Sequence, residues 1–180
     1  MNWFLRLMII GCLCWNISPL SAAGPDSIEL KASRDKAINF LKNSQNEDGT
    51  WTFSEAAGIS ALVTSALIES GVPVTDLTVD KALKILVSFC QEDGRICSAR
   101  SQHSGYETAV ALMALQDANQ SGKYTPQIKK AEQFLRSLQF DESKDIKPSD
   151  LEYGGAGYGP DGGRPDLSNT VFMIEALKAA

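Results

Sequence analysis

The chain has 180 residues, of which 43% are hydrophobic, and this is enough material for one globular core of ordinary size. Its 22 acidic residues outnumber the 17 basic ones, which gives a formal net charge of −5 without a basic patch. This balance argues against nucleic acid and anionic lipid as partners, because both are bound through clustered Lys and Arg side chains.

The first 23 residues have the composition of an export signal. Arg6 precedes an apolar run over 7–17, and small residues at 21–23 supply a cleavage site. The run is short for a membrane span, which needs about 20 apolar residues; a retained anchor is the alternative interpretation. The sequence therefore predicts a signal peptide over 1–23 and an exported protein, either periplasmic or secreted.

Two cysteines, Cys90 and Cys97, lie outside that segment and flank an Asp93-Gly94 turn. An even pair in an oxidising compartment is compatible with one disulfide, and two inert thiols are the alternative. A zinc site needs more Cys or His ligands nearby, and His103 is the only histidine. We therefore predict a Cys90–Cys97 disulfide, no metal and no cofactor.

A short Lys-Ala phrase recurs three times along the chain, beginning at Lys36, Lys81 and Lys130. Self-similarity at a period of about 45–50 residues indicates a repeat architecture, in which each unit buries its apolar face against its neighbours. We expect repeats over about 34–72, 79–120 and 127–180, within a domain spanning 30–180.

Each repeat is predicted to contain an amphipathic outer helix followed by a more apolar inner helix. The first outer helix ends in the turn at 46–49, and the other two span about 81–90 and 127–139. The inner helices span about 55–69, 106–117 and 166–179. Strand alternation is not sustained anywhere, so the predicted fold class is all-α. The third inner helix carries no capping signal at its end, which leaves one flank of the stack uncovered. Further repeats or another copy of the chain would complete it.

The first repeat carries an extended pattern of spaced residues: Lys36-Ala37-x-x-Phe40-Leu41-x-x-x-Gln45-x-x-x-Gly49-x-Trp51. This pattern resembles the QW motif of squalene cyclases, and the third repeat keeps its first half through Gln139. From about residue 35 to 180 the chain resembles the squalene cyclase and protein prenyltransferase repeat superfamily. The resemblance implies an α/α toroid with a central apolar cavity, here half of a closed ring. It also implies that Gln45, Gly49, Trp51 and Gln139 are structural.

The resemblance also places chemistry at the start of the third inner helix. Hopene-forming cyclases carry Asp-x-Asp-Asp-Thr, but the segment here is Asp166-Leu167-Ser168-Asn169-Thr170. Ser168 occupies the acid position, and a hydroxyl is too weak an acid to protonate an alkene. Protein prenyltransferases bind zinc through an Asp, a Cys and a later His; Ser168 replaces that Cys and no His follows.

Some pectate lyases use the same helical scaffold with acidic calcium ligands and an Arg base. The residues available for such a site here are Asp145, Asp150, Asp161, Arg164 and Asp166. Solvated or helix-capping carboxylates are the alternative interpretation, because charged loop residues usually face solvent.

Two carboxylates are candidate catalytic residues, Glu107 and Asp166. Glu107 lies in an otherwise apolar helix, where burial would raise its pKa and suit it to act as a general acid. A dipole partner in the first helical turn is the alternative role. Asp166 is placed to cap its helix or to act at the cavity mouth.

The candidate pocket residues are Tyr106, Tyr153, Tyr158, Arg164, Ser168 and Asn169. Three residues share one register on the inner helices: Ile59, Glu107 and Asn169. His103 precedes the second inner helix, where a solvated or capping role is expected.

Together these features predict an exported toroid protein that binds an apolar, isoprenoid-like small molecule or lipid without the cyclases' protonation chemistry. A divergent terpenoid cyclase using Glu107 or Asp166 is one alternative. A polysaccharide lyase-like enzyme on the same scaffold is the other.

Overall fold

The computed structural model describes residues 26–160 and 163–180. The predicted signal peptide over 1–23 and the candidate ligand Asp161 therefore lie outside the described residues. Residues 35–180 form one compact unit, and residues 26–34 belong to a second one. In that second unit the chain is helical from Ser27, and the Asp26 carboxylate accepts a hydrogen bond from the Ile28 N–H at 2.8 Å.

The described residues contain six α-helices: α1 (Ser27–Asn43), α2 (Ala57–Glu69), α3 (Leu77–Ser88), α4 (Ser104–Asp117), α5 (Thr125–Ser137) and α6 (Leu167–Ala179). A short 3-10 helix spans Glu142–Lys144. In the same residues β-structure is limited to two isolated bridges, Cys90 with Ile96 and Ala156 with Asp166. The predicted all-α class is confirmed. None of the described helices has the length and hydrophobicity needed to cross a membrane.

The three predicted inner helices correspond to α2, α4 and α6, and their starts differ from the prediction by at most two residues. The second outer helix, α3, begins earlier than predicted because Asp76 caps it. The Asp76 carboxylate accepts a hydrogen bond from the Thr78 N–H at 3.0 Å and pairs with Lys42 Nζ at 2.6 Å. A capping carboxylate of this kind satisfies N–H groups that a helix start leaves without partners.

The helices form an inner and an outer layer. In the inner layer α4 lies between α2 and α6, while α3 packs on α2 and α5 packs on α4 in the outer layer. Ala109, Leu112 and Leu115 of α4 are almost completely buried at the centre of the core. The first inner helix is less buried than its composition predicts, because Ile59 and Leu62 are 39% and 40% exposed. One face of α2 is therefore left without a covering layer among the described residues.

The same tight turn follows three of the outer helices. Gly49, Gly94 and Gly154 occupy equivalent places in it, with φ of +91°, +93° and +80°. These φ values lie in the left-handed region, which glycine adopts without steric cost. In the first two turns a side chain on the glycine would meet the next outer helix. An added Cβ would lie 3.0 Å from the Lys81 carbonyl oxygen at Gly49 and 2.8 Å from the Lys130 carbonyl carbon at Gly94.

One hydrogen bond also recurs three times, between each turn and the inner helix after it. The backbone N–H of Trp51 donates to Ser60 Oγ at 3.5 Å, that of Ile96 to Thr108 Oγ1 at 2.9 Å, and that of Ala156 to Thr170 Oγ1 at 3.0 Å. The three hydroxyls therefore mark equivalent positions on α2, α4 and α6.

The residues of the QW-like pattern make structural hydrogen bonds. Trp51 Nε1 donates to the Leu41 carbonyl at 2.8 Å, and Gln45 Nε2 donates to the carbonyls of Gly49 at 3.0 Å and Thr78 at 2.9 Å. After α5, Gln139 Nε2 donates a hydrogen bond to the Gly154 carbonyl at 3.3 Å. These bonds link the first and third outer helices to the turns that follow them, and Gln45 also reaches α3.

Cys90 and Cys97 are free thiols in the structure. Cys90 Sγ lies 3.7 Å from the Leu86 carbonyl, whereas Cys97 Sγ accepts a hydrogen bond from Gln91 Nε2 at 3.4 Å. Burial raises the pKa of Cys97 to about 11 and also raises that of Cys90. The predicted disulfide is therefore not formed here, and the alternative of two inert, protonated thiols describes the pair.

Candidate functional site

A cleft of about 270 Å³ lies at the N-terminal ends of the three inner helices. Five of the predicted site residues line it: Tyr106, Glu107, Tyr158, Ser168 and Asn169. The shared register of Ile59, Glu107 and Asn169 is also confirmed in space, since all three residues line this cleft. The remaining lining residues include Phe53, Gly58, His103 and Phe172.

Aromatic side chains form much of the cleft wall. The Tyr106 and Phe172 rings meet edge to face with centroids 5.1 Å apart, and the His103 and Tyr158 rings do so at 4.8 Å. Phe53 is 63% exposed, so an apolar surface remains open to a ligand. Such edge-to-face pairs hold the rings in defined positions.

Because Gly58 has no side chain, Tyr106 and Glu107 of α4 can lie close to α2. An added Cβ at this position would lie 3.2 Å from the Tyr106 ring and 3.3 Å from Cγ of Glu107. The glycine therefore provides the room that the first turn of α4 needs against α2. A larger residue here would displace Tyr106 and Glu107.

Glu107 is half-buried in the first turn of α4. Its Oε2 atom is buried and has no hydrogen-bond partner among the described residues. Burial raises the pKa of this carboxyl, and the neighbouring Ser101 hydroxyl and His103 partly offset the effect. Burial disfavours the charged form, so Glu107 has the environment predicted for a general acid.

Asn169 presents a second acceptor without a partner. The residue is only 4% exposed, and its amide nitrogen donates to Asp166 Oδ2 at 2.6 Å. Its Oδ1 atom is buried and has no partner in the described part of the chain. A buried polar atom left in this state costs about 1–3 kcal/mol. A ligand carrying a hydrogen-bond donor would remove that cost.

Asp166 caps α6 and does not line the cleft. Its Oδ1 accepts hydrogen bonds from the Ser168 hydroxyl at 2.6 Å and the Asn169 N–H at 2.9 Å. These bonds, led by the one from Ser168, hold the pKa of Asp166 below its ordinary value. A carboxyl held in its ionised form is a poor proton donor, so the structure favours the capping alternative over the predicted catalytic role.

Two predicted pocket residues, Tyr153 and Arg164, lie outside the cleft. The Tyr153 hydroxyl donates to Glu142 Oε1 at 3.0 Å, and the residue lines a separate cleft of about 430 Å³. The Arg164 side chain is 86% exposed and lies 3.7 Å from Glu152, instead of pairing with Asp166. The glycine-rich segment is fixed at two places: Gly154 and Gly155 are hydrogen bonded to Phe140, which follows α5, whereas the Tyr158 carbonyl accepts a hydrogen bond from the Gly105 N–H of α4 at 2.6 Å.

The described acidic residues among those considered for calcium are not grouped as a metal site. Asp150 Oδ2 accepts a hydrogen bond from the Lys147 N–H at 2.8 Å, and Asp145 is exposed. Over residues 26–160 and 163–180, no group of three or more His, Cys, Asp or Glu side chains is arranged to hold a metal ion. Asp161 lies outside these ranges.

Sequence reasoning did not select Phe53 and Phe172 for the site, and it expected His103 to be solvated or capping. His103 is exposed and makes no side-chain capping bond, but its ring packs on Tyr158 at the cleft. A signal for Phe172 was available, since it lies one turn after Ser168 on α6. Phe53 lies in a loop, where no helical periodicity predicts which way its side chain points.

No protein-family model, curated protein or solved structure matches this chain. Its function is therefore inferred from the geometry and chemistry of the cleft.

Proposed function

We propose that this chain is an exported protein of the squalene cyclase and prenyltransferase repeat type. In this proposal its three helix pairs form half of an α/α toroid. The inner-helix cleft binds an apolar, isoprenoid-like group that carries one hydrogen-bond donor. Export rests on the residue pattern over 1–23.

The recurring local geometry supports the toroid. The turn glycines share a left-handed conformation, and the same hydroxyl bond follows each turn. Stacked repeats reuse one unit and one junction in this way. The exposed apolar side chains of Ile59 and Leu62 on the first inner helix fit a face directed at a shared centre.

The single observation that carries the binding proposal is the pair of buried oxygens without partners in an aromatic cleft. Tyr106, Phe172 and Ile59 offer apolar surface, while Glu107 Oε2 and Asn169 Oδ1 are buried oxygens without a hydrogen-bond partner among the described residues. A ligand with an apolar body and a hydroxyl end satisfies both features. The volume of about 270 Å³ is near the lower end of small-molecule pockets, about 300 Å³. The cleft therefore suits a short isoprenoid or the end of a longer one.

Replacing Glu107 with methionine is expected to weaken binding of a short prenyl alcohol, geraniol, by about tenfold or more, because a hydrogen bond to a charged or polar acceptor is lost. Binding of the matching hydrocarbon, with hydrogen in place of the hydroxyl, should stay equal or become tighter. Both are measured by calorimetric titration of the purified protein.

Glu175→Met serves as the control, since Glu175 is exposed on α6 and pairs with Lys178 away from the cleft. It should leave both affinities unchanged. Equal losses for the alcohol and the hydrocarbon in Glu107→Met, or failure of the wild-type chain to bind either ligand, would contradict the proposal.

A divergent cyclase is the second candidate, favoured by the raised pKa of Glu107 inside an aromatic cleft. A protonated carboxyl can add its proton to an alkene, and the resulting carbocation returns a proton when the cyclic alkene forms. Aromatic faces such as that of Tyr106 stabilise cations.

The cyclase candidate predicts turnover of a linear prenyl alcohol such as farnesol that falls at least about 100-fold in Glu107→Gln. Activity should also decline as pH rises through the Glu107 pKa, because the acid form is then lost. Product analysis by gas chromatography tests this. Absence of any cyclic product from the wild-type protein leaves binding as the function.

A further inference from the structure

We infer that two copies of this chain close a ring, in which helix α1 of each copy packs on the outer face of α6 of the other. This inference goes beyond ligand binding, although it uses the repeat interpretation proposed above. It rests on exposed apolar faces of α1 and α6, and on the turn at Gly154, which no outer helix of the described residues contacts as one does at Gly49 and Gly94.

The first face is on α6. Leu167, Val171 and Ile174 follow one side of the helix at helical spacing and are 86%, 55% and 43% exposed. The three inner helices can be aligned on the hydroxyls that accept a hydrogen bond from the preceding turn, namely Thr170, Thr108 and Ser60. This alignment identifies the residues of α4 and α2 that are equivalent to the exposed row on α6. Exposed large apolar residues in a continuous row indicate a surface that binds a partner.

The equivalent residues on the other two inner helices are buried. They are Gly105, Ala109 and Leu112 on α4, and Ala57, Ala61 and Thr64 on α2. Outer helix α5 packs on α4 and α3 packs on α2, and Gly105 lies against Leu138 at the end of α5. On α6 the corresponding face has no outer helix among the described residues.

The second face is on α1, the first outer helix. Ala37 corresponds to Ala82 and Ala131, which are fully buried, but Ala37 itself is exposed. Phe40 corresponds to Phe134, which is 7% exposed, but Phe40 is 70% exposed. In α3 and α5 these positions pack on the inner helix that precedes each of them. Helix α1 therefore exposes the same apolar face.

The open turn lies beside α6. Gly49 faces the Lys81 carbonyl and Gly94 faces that of Lys130, whereas an added Cβ at Gly154 would meet only Gln139 Nε2, at 3.9 Å. Lys36 of α1 is the repeat equivalent of Lys81 and Lys130. The carbonyl of Lys36 from a second copy would complete the third turn as the other two are completed.

Within one chain the C-terminal part of α1 is held far from α6. Its Leu41 carbonyl accepts a hydrogen bond from Trp51 Nε1, and its Lys42 forms a salt bridge with Asp76 at the start of α3. Helix α4 separates α2 from α6. A second copy can supply the missing helix, and reciprocal exchange makes two identical junctions in one closed ring of six helix pairs. Closed two-fold assemblies are the commonest symmetric oligomers.

Size-exclusion chromatography with light scattering tests the ring. The wild-type protein is expected at twice the mass of its own single chain. Val171→Glu and Phe40→Glu should each weaken the dimer by at least about 100-fold, because each places a charge in both junctions. Leu151→Glu is the matched control, since Leu151 is 99% exposed and lies on neither face. It should remain dimeric, and circular dichroism checks that all variants are folded.

Mixing the two interface variants tests the head-to-tail geometry. A heterodimer of Val171→Glu with Phe40→Glu contains one unmodified junction, so mixing should restore part of the association that each variant lacks alone. A monomeric wild-type protein, a ladder of higher oligomers, or a mixture that stays monomeric would overturn the inference. Geraniol binding by the monomeric variants, measured in parallel, reports on the proposed function independently.

Discussion

Gly94→Ala is expected to reduce the free energy of unfolding by about 2–5 kcal/mol. Gly94 has a φ of +93°, a conformation that costs other residues about 1–2 kcal/mol. The new Cβ would also lie 2.8 Å from the Lys130 carbonyl carbon and 3.1 Å from Phe134 Cβ, so α5 must shift. Urea denaturation followed by circular dichroism measures the loss.

Gly71→Ala provides a matched control for this prediction. Gly71 has nearly the same φ, +92°, but an added Cβ there meets no atom within 4 Å. It should cost only the backbone term of about 1–2 kcal/mol. Equal losses for the two variants would mean that the turn does not pack on α5 as described.

Thr108→Val is expected to cost about 1–3 kcal/mol, because it leaves the buried Ile96 N–H without an acceptor while keeping the shape of the side chain. Thr108 is completely buried, so water cannot replace the lost bond. Thermal or urea unfolding of the purified protein measures the change.

Thr108→Ser is the comparison variant, since the hydroxyl remains and Ser60 already occupies the equivalent position on α2. It should lose no more than about 1.5 kcal/mol, the range for removing one buried methyl group. If the valine variant proved as stable as the serine variant, the hydrogen bond from turn to helix would contribute nothing to stability.

Much of the site's location was predictable because helical spacing alone sets which residues share a face. The register of Ile59, Glu107 and Asn169 follows from aligning the repeats, and all three residues line one cleft. Tyr153 and Tyr158 could not be separated in this way. They lie in a glycine-rich segment without periodicity, and the hydrogen bond from the Gly105 N–H to the Tyr158 carbonyl holds Tyr158 beside the cleft.

The roles of the two carboxylates were also not separable from the sequence. Both Glu107 and Asp166 lie at helix starts, and a pKa depends on three-dimensional surroundings. Burial between packed helices raises the pKa of Glu107, whereas local hydrogen bonds lower that of Asp166. The sequence offered two roles for Glu107, a buried acid and a helix-dipole partner, and only the packing around α4 shows that the carboxyl is half-buried.

By itself the sequence determined the all-α class and the approximate extents of the inner helices, because apolar periodicity and the turn residues between helices act over a few residues. Only the tertiary structure decided which tyrosine enters the cleft, which buried oxygens are left without partners, and that the apolar face of α1 is exposed. These properties depend on contacts between segments far apart in the chain, and local patterns carry no information about them.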